Sequence, residues 1–371
     1  MMPLKIGIVG GSLAGLFAGI LLGRDGHDVT IYERSASGFS GRGAGLVPQQ
    51  EVFDILQEIG VGHLATFGVI SEDRIYLAKS GVISQRLQMP QMQVSWDLIY
   101  SAAITRLGTA RYFLGKTVKR VREETDHSVI AFDDGSIETV DLVIGADGIG
   151  SVVRSAINAE ADNIYTGYVA WRGLVAEREL PSFTSPLLGN FTFFVDNGNH
   201  ALGYLVPGSE GETREGERRY NWVWYRFVDK DNLRQTFTGL SGKSSRFSLA
   251  RGELSQRRRE RLREDAASFL PPQFALAIQA EELPSVQGIF DYEARRMGGT
   301  SIALIGDAAF VVRPHTAMGL AKAAGDVLSL RSHMRQTDDL VTALRGFEAE
   351  RLVIGRKIAA YGQDLGRSSM R

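Results

Sequence analysis

The stretch Val9-Gly10-Gly11-Ser12-Leu13-Ala14-Gly15 constrains this chain more than any other, because it joins two strongly patterned segments. Before it lies the apolar run Ile6-Gly7-Ile8-Val9, which reads as a buried strand. After it, Leu13 to Leu22 reads as a small, apolar helix with Gly15 and Gly19 on its inner side. A glycine-rich turn from strand into helix offers free backbone amides and the positive end of a helix dipole to a phosphate. The dinucleotide fingerprint is G-x-G-x-x-G, and here Ser12 stands at the middle glycine. Gly10 makes the tight turn, and Gly15 lets the helix approach the strand. Ser12 is small, and its hydroxyl is itself a phosphate donor. Leu13 and Ala14 belong to the helix start that faces the pyrophosphate. A second strand, Asp28 to Tyr32, ends at Glu33. A carboxylate about 20 residues beyond the fingerprint accepts from ribose hydroxyls and repels a 2′-phosphate, so FAD or NAD is expected here rather than NADP.

The rest of the chain must supply a partner for this β-α-β unit. At 371 residues the chain is long enough for two domains or one large interwoven unit. Hydrophobic residues at 44% and charged residues at 23% fit a globular protein. A net charge of -1 gives no electrostatic case for nucleic acid or an anionic membrane. The chain has no cysteine, which excludes disulfides, thiolate metal sites and a cysteinyl-linked flavin, and fits a reducing cytoplasm. No signal peptide or membrane-spanning helix is expected. No metal-ligand spacing is present. His27, His63, His127 and His333 read as surface residues.

The expected architecture is α/β, with a Rossmann-like dinucleotide-binding domain interleaved with a β-rich domain and closed by C-terminal helices; the resemblance set out below makes the first the FAD-binding domain and the second the substrate domain. The nucleotide-binding part is expected over 1–72, 97–160 and 293–371, and the substrate part over 73–96 and 161–292. Val52, Ile55, Leu56 and Ile59 recur at helical spacing before Gly60. Strands follow from Asp73 to Val94, then a helix from Asp97 to Leu107. Strands turn at Asp133-Asp134-Gly135. From Ile164 aromatic residues become frequent, helical patterns fade, and Asn197-Gly198 reads as a hairpin turn. A basic helix around Ser255–Ala267 precedes the Pro271-Pro272 break, and two helices, Gly319–Met334 and Thr342–Gly362, close the pattern.

Two further motifs make the reading specific. Asp141-Leu142-Val143-Ile144-Gly145-Ala146-Asp147-Gly148 continues to Ser151 and Arg154, and Ser301 to Asp307 leads to Ala308, Pro314, Gly319 and Asp326. These resemble the D-G and G-D motifs of the single-component FAD-dependent aromatic hydroxylases, the p-hydroxybenzoate and salicylate hydroxylase family. Glu33-Arg34 and Gly41-Arg42-Gly43-Ala44-Gly45 match the same family, and the resemblance covers nearly the whole chain. Arg313-Pro314-His315-Thr316-Ala317-x-Gly319 and Gly167-Tyr168-Val169-Ala170-Trp171-Arg172-Gly173 resemble its dihydroxypyridine-hydroxylating branch most closely. The chain departs from the family at Trp96-Asp97-Leu98, where an arginine often stands, and at Phe310-Val311, where many members have histidine.

The resemblance implies one FAD. Asp307 would accept from the ribityl hydroxyls, Gly306 would let the cofactor chain pass, and Asp147 and Gly148 would lie near the pyrophosphate. Arg34, Arg42 and Gly43 would join the cofactor site. Pro314 and Ala317 would flank the ring, and the amides of Gly319 and Leu320 would face it and stabilise reduced flavin. It also implies a cycle in which NADH or NADPH reduces FAD, O2 adds at C4a, and the resulting hydroperoxide hydroxylates an electron-rich aromatic or N-heteroaromatic ring. Candidate substrate contacts are Tyr204, Trp222, Trp224, Tyr225 and Thr316, with His315 and His200 as bases. Strand alternation puts Trp222 and Trp224 on one face, opposite Tyr225. Expected partners are the ring substrate and O2, with a homodimer possible, and no nucleic acid or membrane. The competing reading is a flavin reductase or dehydrogenase of the same fold, without oxygen insertion.

Overall fold

Strands that alternate apolar and polar residues have one wet face, whereas strands covered on both faces read as unbroken apolar runs. Both kinds occur here, and they segregate into different sheets. A computed structural model describes residues 1–39, 45–196 and 198–370. The chain begins β1 (Lys5–Val9), α1 (Leu13–Arg24), β2 (Asp28–Glu33), β3 (Gly45–Leu46), α2 (Gln50–Glu58), β4 (Gly68–Leu77), β5 (Ile83–Ser95) and α3 (Trp96–Thr105). It continues through β6 (Arg111–Leu114), β7 (Val118–Glu123), β8 (Ser128–Phe132), β9 (Ile137–Val140), β10 (Leu142–Gly145) and α4 (Arg154–Ile157). Then come β11 (Ile164–Ala176), β12 (Asn190–Asp196), β13 (Asn199–Val206), β14 (Arg219–Phe227), α5 (Leu233–Thr236), β15 (Ser248–Leu249), α6 (Gln256–Phe269), α7 (Pro272–Gln279) and β16 (Ser285–Glu293). The final elements are β17 (Ile302–Leu304), β18 (Phe310–Val311), α8 (Gly319–Gln336) and α9 (Leu340–Ser369).

The buried strands β1, β2, β10 and β17, with the largely exposed edge strand β6, form a five-stranded sheet in the order β17-β10-β1-β2-β6, with every neighbour parallel. β7, β8 and β9 make an antiparallel meander whose Ile130 lies against Gly7 of β1. This is the Rossmann-like half of an α/β fold. The alternating strands form the second, larger sheet, in the order β15-β16-β11-β14-β13-β12-β4-β5-β3, with β18 pairing off β16. Its pairs are antiparallel except β4 with β12. One face of it packs on α6 and α7 through a core that includes Leu262, Ala266 and Phe274. The other face lines two of the cavities described below.

Several elements run differently from the sequence pattern. The final helix continues past Gly362 to Ser369. Gly362 and Gly366 are packing positions rather than stops. A Cβ at Gly366 would lie 2.7 Å from Arg313 Nη1 and 2.8 Å from the Tyr168 hydroxyl. α3 begins at Trp96, because the hydroxyl of Ser95 accepts from the Leu98 amide and caps it. His27 is not a surface residue. It is buried, and its Nδ1 accepts from the Leu4 amide at the head of β1. Gly198 lies in the left-handed region between β12 and β13, while Asn197 falls outside the described residues.

Candidate active site

The first cavity opens where β1 turns into α1. Gly10 sits at φ +105, and a Cβ there would lie 2.3 Å from the Ala146 carbonyl oxygen. At Gly15 a Cβ would fall 1.9 Å from the Gly10 carbonyl oxygen, so both fingerprint glycines are sterically obligatory. Ser12 is the N-cap of α1, yet its side chain makes no capping bond. Leu13 and Ala14 form the first turn behind it, Leu13 buried in the core. The cavity is about 430 Å³ and is lined by Gly10, Ser12, Glu33, Arg34, Asp147, Gly148 and Asp307 among others. Arg42 and Gly43 lie outside the described residues.

Two carboxylates shape this cavity. Glu33 accepts from the Gly11 amide at 2.9 Å and the Ser35 amide at 2.7 Å, which pins the turn. Each carboxylate oxygen keeps a further lone pair for a ligand hydroxyl. Asp147 accepts from the Val152 amide at 2.7 Å and the Val153 amide at 3.3 Å. Its other oxygen is buried with no hydrogen-bond partner among the described residues. Burial pushes the Asp147 carboxyl above the usual carboxylate range, against hydrogen bonds that oppose it.

Buried cations tie the second and third motifs together. Arg154 donates to the Ala308 carbonyl at 2.9 Å and the Asp307 carbonyl at 2.7 Å, with its guanidinium 3.8 Å from the centre of the Tyr292 ring. Gly306 donates to Asp326 at 2.9 Å, and Asp326 in turn accepts from Arg351 at 2.7 Å. These contacts fix the backbone of Gly306 and Asp307 and leave the Asp307 carboxylate half exposed beside Lys322, 3.5 Å away. Lys322 itself is buried.

Asp307 also lines a second cavity of about 310 Å³, together with Ile149, Tyr204, Pro314, Ala317, Gly319 and Leu320. Ala317 sits at φ 54, and it is the one non-glycine residue with positive φ among the described residues. Such a conformation costs roughly 1–2 kcal/mol. The turn that enforces it is closed by the Ala317 amide on the Pro314 carbonyl at 3.0 Å and by the Met318 amide on the Thr316 hydroxyl at 3.1 Å. α8 starts at once, and a Cβ at Gly319 would meet nothing within 4 Å. The helix end therefore presents unencumbered amides and a positive dipole end to the cavity.

A third cavity, about 510 Å³, continues from the second. Arg172, Tyr204, Gln287, Pro314 and Ala317 line both. Its wall is one face of the large sheet, read strand by strand through the pleat: Ala170 and Arg172, Val223 and Tyr225, then His200, Leu202 and Tyr204, then Phe191, Phe193 and Val195, and finally Arg74 and Tyr76. His315 and Thr316 close it from the flank, and Tyr361, Leu365 and Ser369 of α9 close it from the side. His315 lies edge-on to Tyr225, with ring centres 4.4 Å apart, and 5.6 Å from the His200 ring. The Nδ1 atoms of both histidines are buried and without a hydrogen-bond partner among the described residues. Burial pushes His200 down to about 3, and the nearby His315 adds to this. Burial and the charge of Arg313 push His315 down to about 4. Both rings are neutral at pH 7.

The structure brings His315, His200, Tyr204, Tyr225 and Thr316 into this cavity and excludes Trp222 and Trp224. The two tryptophans point to the opposite face of β14, where they are 1% and 0% exposed in the core under α6 and α7. Alternation along β14 is the cause: Tyr225 faces the cavity, so its neighbours one residue away cannot. Arg74, Gln91, Phe191 and Phe193 line the cavity and were not singled out from the sequence, although alternation along β4 marks Arg74 and alternation along β12 marks Phe191 and Phe193; Gln91 comes from β5. Trp96, where the family often has arginine, stacks on Tyr100 with ring centres 5.0 Å apart.

Three confluent cavities, a phosphate-type helix end, a carboxylate at each of two ribose- or ribityl-type positions and a bare amide end at Gly319 fit FAD in an extended form. Comparison with known proteins agrees. Residues 8–58 match the family model described as an NAD(P)-binding Rossmann-like domain, and residues 165–291 match the one described as FAD binding domain-like. The chain is 31% identical to 2,6-dihydroxypyridine 3-monooxygenase of Paenarthrobacter nicotinovorans, over 95% of this chain and 88% of that protein. It is 26% identical to 6-hydroxynicotinate 3-monooxygenase of Bordetella bronchiseptica, over 97% and 91% respectively. The solved structure of 2,6-dihydroxypyridine-3-hydroxylase from Arthrobacter nicotinovorans superposes with a TM-score of 0.92 at 29% identity, covering 100% of this chain and 93% of that one. The chain therefore belongs to the single-component FAD-dependent aromatic hydroxylases, flavoprotein monooxygenases that draw their electrons from NAD(P)H.

Proposed function

We propose that this monooxygenase hydroxylates a hydroxylated N-heteroaromatic ring bound in the third cavity. The observation that carries the reading is the pair of neutral, buried histidines, each with an unpartnered Nδ1, in an aromatic-walled cavity that opens into the flavin-sized one. The relatives named for dihydroxypyridine and hydroxynicotinate support the substrate class. When bound, FAD supplies two-electron reduction by NAD(P)H and activation of O2.

The chain's own residues do the rest. Gly10, Ser12 and Gly15, with the first-turn amides of Leu13 and Ala14, would hold the FAD pyrophosphate; Glu33 would hold the adenosine ribose, and Arg34, Asp147 and Gly148 would complete that end, with Arg42 and Gly43 assigned there by the family resemblance alone. Asp307 would accept from the ribityl hydroxyls, with Gly306 allowing close approach. Pro314 and Ala317 would brace the flavin ring, and the amides of Gly319 and Leu320 would stabilise negative charge on it. Aromatic walls exclude water from the reacting face. Tyr204 and Thr316 orient the substrate, and His315 accepts the proton of its ring hydroxyl. An anion bound beside that imidazole raises its proton affinity, which offsets the burial that otherwise keeps it neutral. The nucleotide-binding and substrate parts divide as 1–72, 97–160 and 293–371 against 73–96 and 161–292. Among the described residues no helix is long and apolar enough to cross a membrane. The lack of cysteine supports a cytoplasmic location.

Anaerobic stopped-flow with 2,6-dihydroxypyridine, 6-hydroxynicotinate and related rings tests the proposal. A true substrate accelerates flavin reduction by NAD(P)H, and admission of O2 then yields a hydroxylated product. NAD(P)H oxidation without any oxygenated product across the series would instead support the reductase reading and remove this one.

A further inference from the structure

The third cavity has a second polar region, away from the flavin end. Arg74 on β4 lines the third cavity but not the second. Its Nη2 donates to Gln91 Oε1 at 2.9 Å, which holds the guanidinium in place from the neighbouring strand β5. Its carbon centre lies 5.9 Å from the centre of the Phe191 ring. The Nε–H of Arg74 is buried with no hydrogen-bond partner among the described residues. At the flavin end, by contrast, Gln49 lines the same cavity; its amide nitrogen donates to the Ala317 carbonyl at 3.4 Å, and its Oε1 is buried and unpartnered among the described residues.

Charge in the cavity is one-sided. Its described lining includes two arginines, Arg74 and Arg172, and no aspartate or glutamate. Arg172 belongs to the flavin end, since it also lines the second cavity. An oriented N–H left unpaired in a buried site costs free energy unless a ligand completes it. For a guanidinium, the fitting ligand group is an oxygen carrying negative charge.

Resting on the function proposed above, we infer that Arg74 is a specificity residue that binds an anionic oxygen on the substrate ring, a carboxylate or an ionised hydroxyl. Its position sets the orientation of the ring. With the anionic group on Arg74, the opposite side of the ring lies toward Tyr204, Pro314 and the flavin cavity. Gln91 acts as a positioning residue that holds the guanidinium. Rings with a cationic substituent are rejected, because Arg74 and Arg172 both repel them.

The test is equilibrium binding to the FAD-loaded protein, followed by perturbation of the flavin absorbance without NAD(P)H. The probes are 6-hydroxynicotinate, its neutral amide 6-hydroxynicotinamide, and 2,6-dihydroxypyridine. In Arg74→Gln, the Kd of an anionic probe should rise roughly 10- to 100-fold, the range of a charged hydrogen bond, and that of the amide much less. Arg74→Lys should recover part of the loss, and Gln91→Leu should produce a smaller loss of the same sign. A carboxylate contact shows as collapse of the preference for 6-hydroxynicotinate over its amide. An ionised-hydroxyl contact shows as selective loss of 2,6-dihydroxypyridine. Equal weakening of all three probes, or no change in any, overturns the inference while leaving the proposed function standing. If wild-type protein binds none of the probes and no ring accelerates flavin reduction, both readings fall.

Discussion

Asp307 concentrates the cofactor chemistry of the third motif in one side chain. Its backbone is clamped by Arg154, while its carboxylate stands half exposed where the first two cavities meet. Removing the carboxylate while the clamp remains should weaken FAD without unfolding the chain. Asp307→Ala is expected to raise the FAD dissociation constant roughly 10- to 100-fold, the range of a charged hydrogen bond. Fluorescence of released flavin on dilution reads this directly, and full retention would contradict the role given to Asp307. At His315, replacement by Asn keeps a polar side chain but removes the proton acceptor. Turnover should fall by roughly 10²–10⁴, with a smaller change in substrate affinity, as single-turnover kinetics would show.

At the scale of elements, the pleat of β14 decides which aromatic residues are structural. Trp222 and Trp224 anchor the face that meets α6 and α7, so Trp222→Ala should cost about 3–5 kcal/mol of stability. Denaturant unfolding checks this, and the order of preference among ring substrates should not change. α9 behaves the opposite way, being both wall and brace. Gly366→Val should overpack against Arg313 and Tyr168, costing about 1–3 kcal/mol, and should also raise KM because the same turn carries Leu365 beside the cavity. These two elements show what sequence conveys and what it withholds. Four of the parallel strands, β1, β2, β10 and β17, and the fingerprint turn were legible because burial on both faces and obligatory glycines leave marks on neighbouring residues; β6, exposed at the sheet edge, left none. Alternation in β14 was legible too, but which of its faces meets the third cavity depends on α6 and α7, which cover the other face. Arg74 escaped notice for the same reason: nothing local distinguishes a surface arginine from one that lines a cavity. The extent of α9 was misread because a glycine can end a helix or admit a neighbour, and only the neighbour tells which.

For the molecule as a whole, the two buried histidines couple stability to pH. Their folded-state values, about 3 for His200 and about 4 for His315, lie below the ordinary imidazole value. As pH falls below that ordinary value, the unfolded chain takes up protons that the folded protein refuses. Stability is therefore fully present above about pH 6.5 and declines on acidification, by up to ~2 kcal/mol per histidine at pH 5. Thermal unfolding of the FAD-loaded protein between pH 7 and pH 5 should show a falling midpoint. His200→Phe should flatten that slope, and an unchanged slope would count against burial of a neutral His200.

The order of strands in the parallel sheet has a consequence for biosynthesis. β17 joins β10 at the edge of the sheet, and the turn that carries Asp307, Pro314 and Gly319 follows it in the chain. Every cavity described here takes a wall from that late segment. A nascent polypeptide still lacking it has strands β1, β2, β6 and β10 but no place to keep a flavin. Retention of the cofactor must then be among the last events of maturation, after the ribosome has released most of the chain. Until that moment the incomplete protein exposes a sheet edge, and it is in this window, not in the finished enzyme, that cellular folding assistance has most to do.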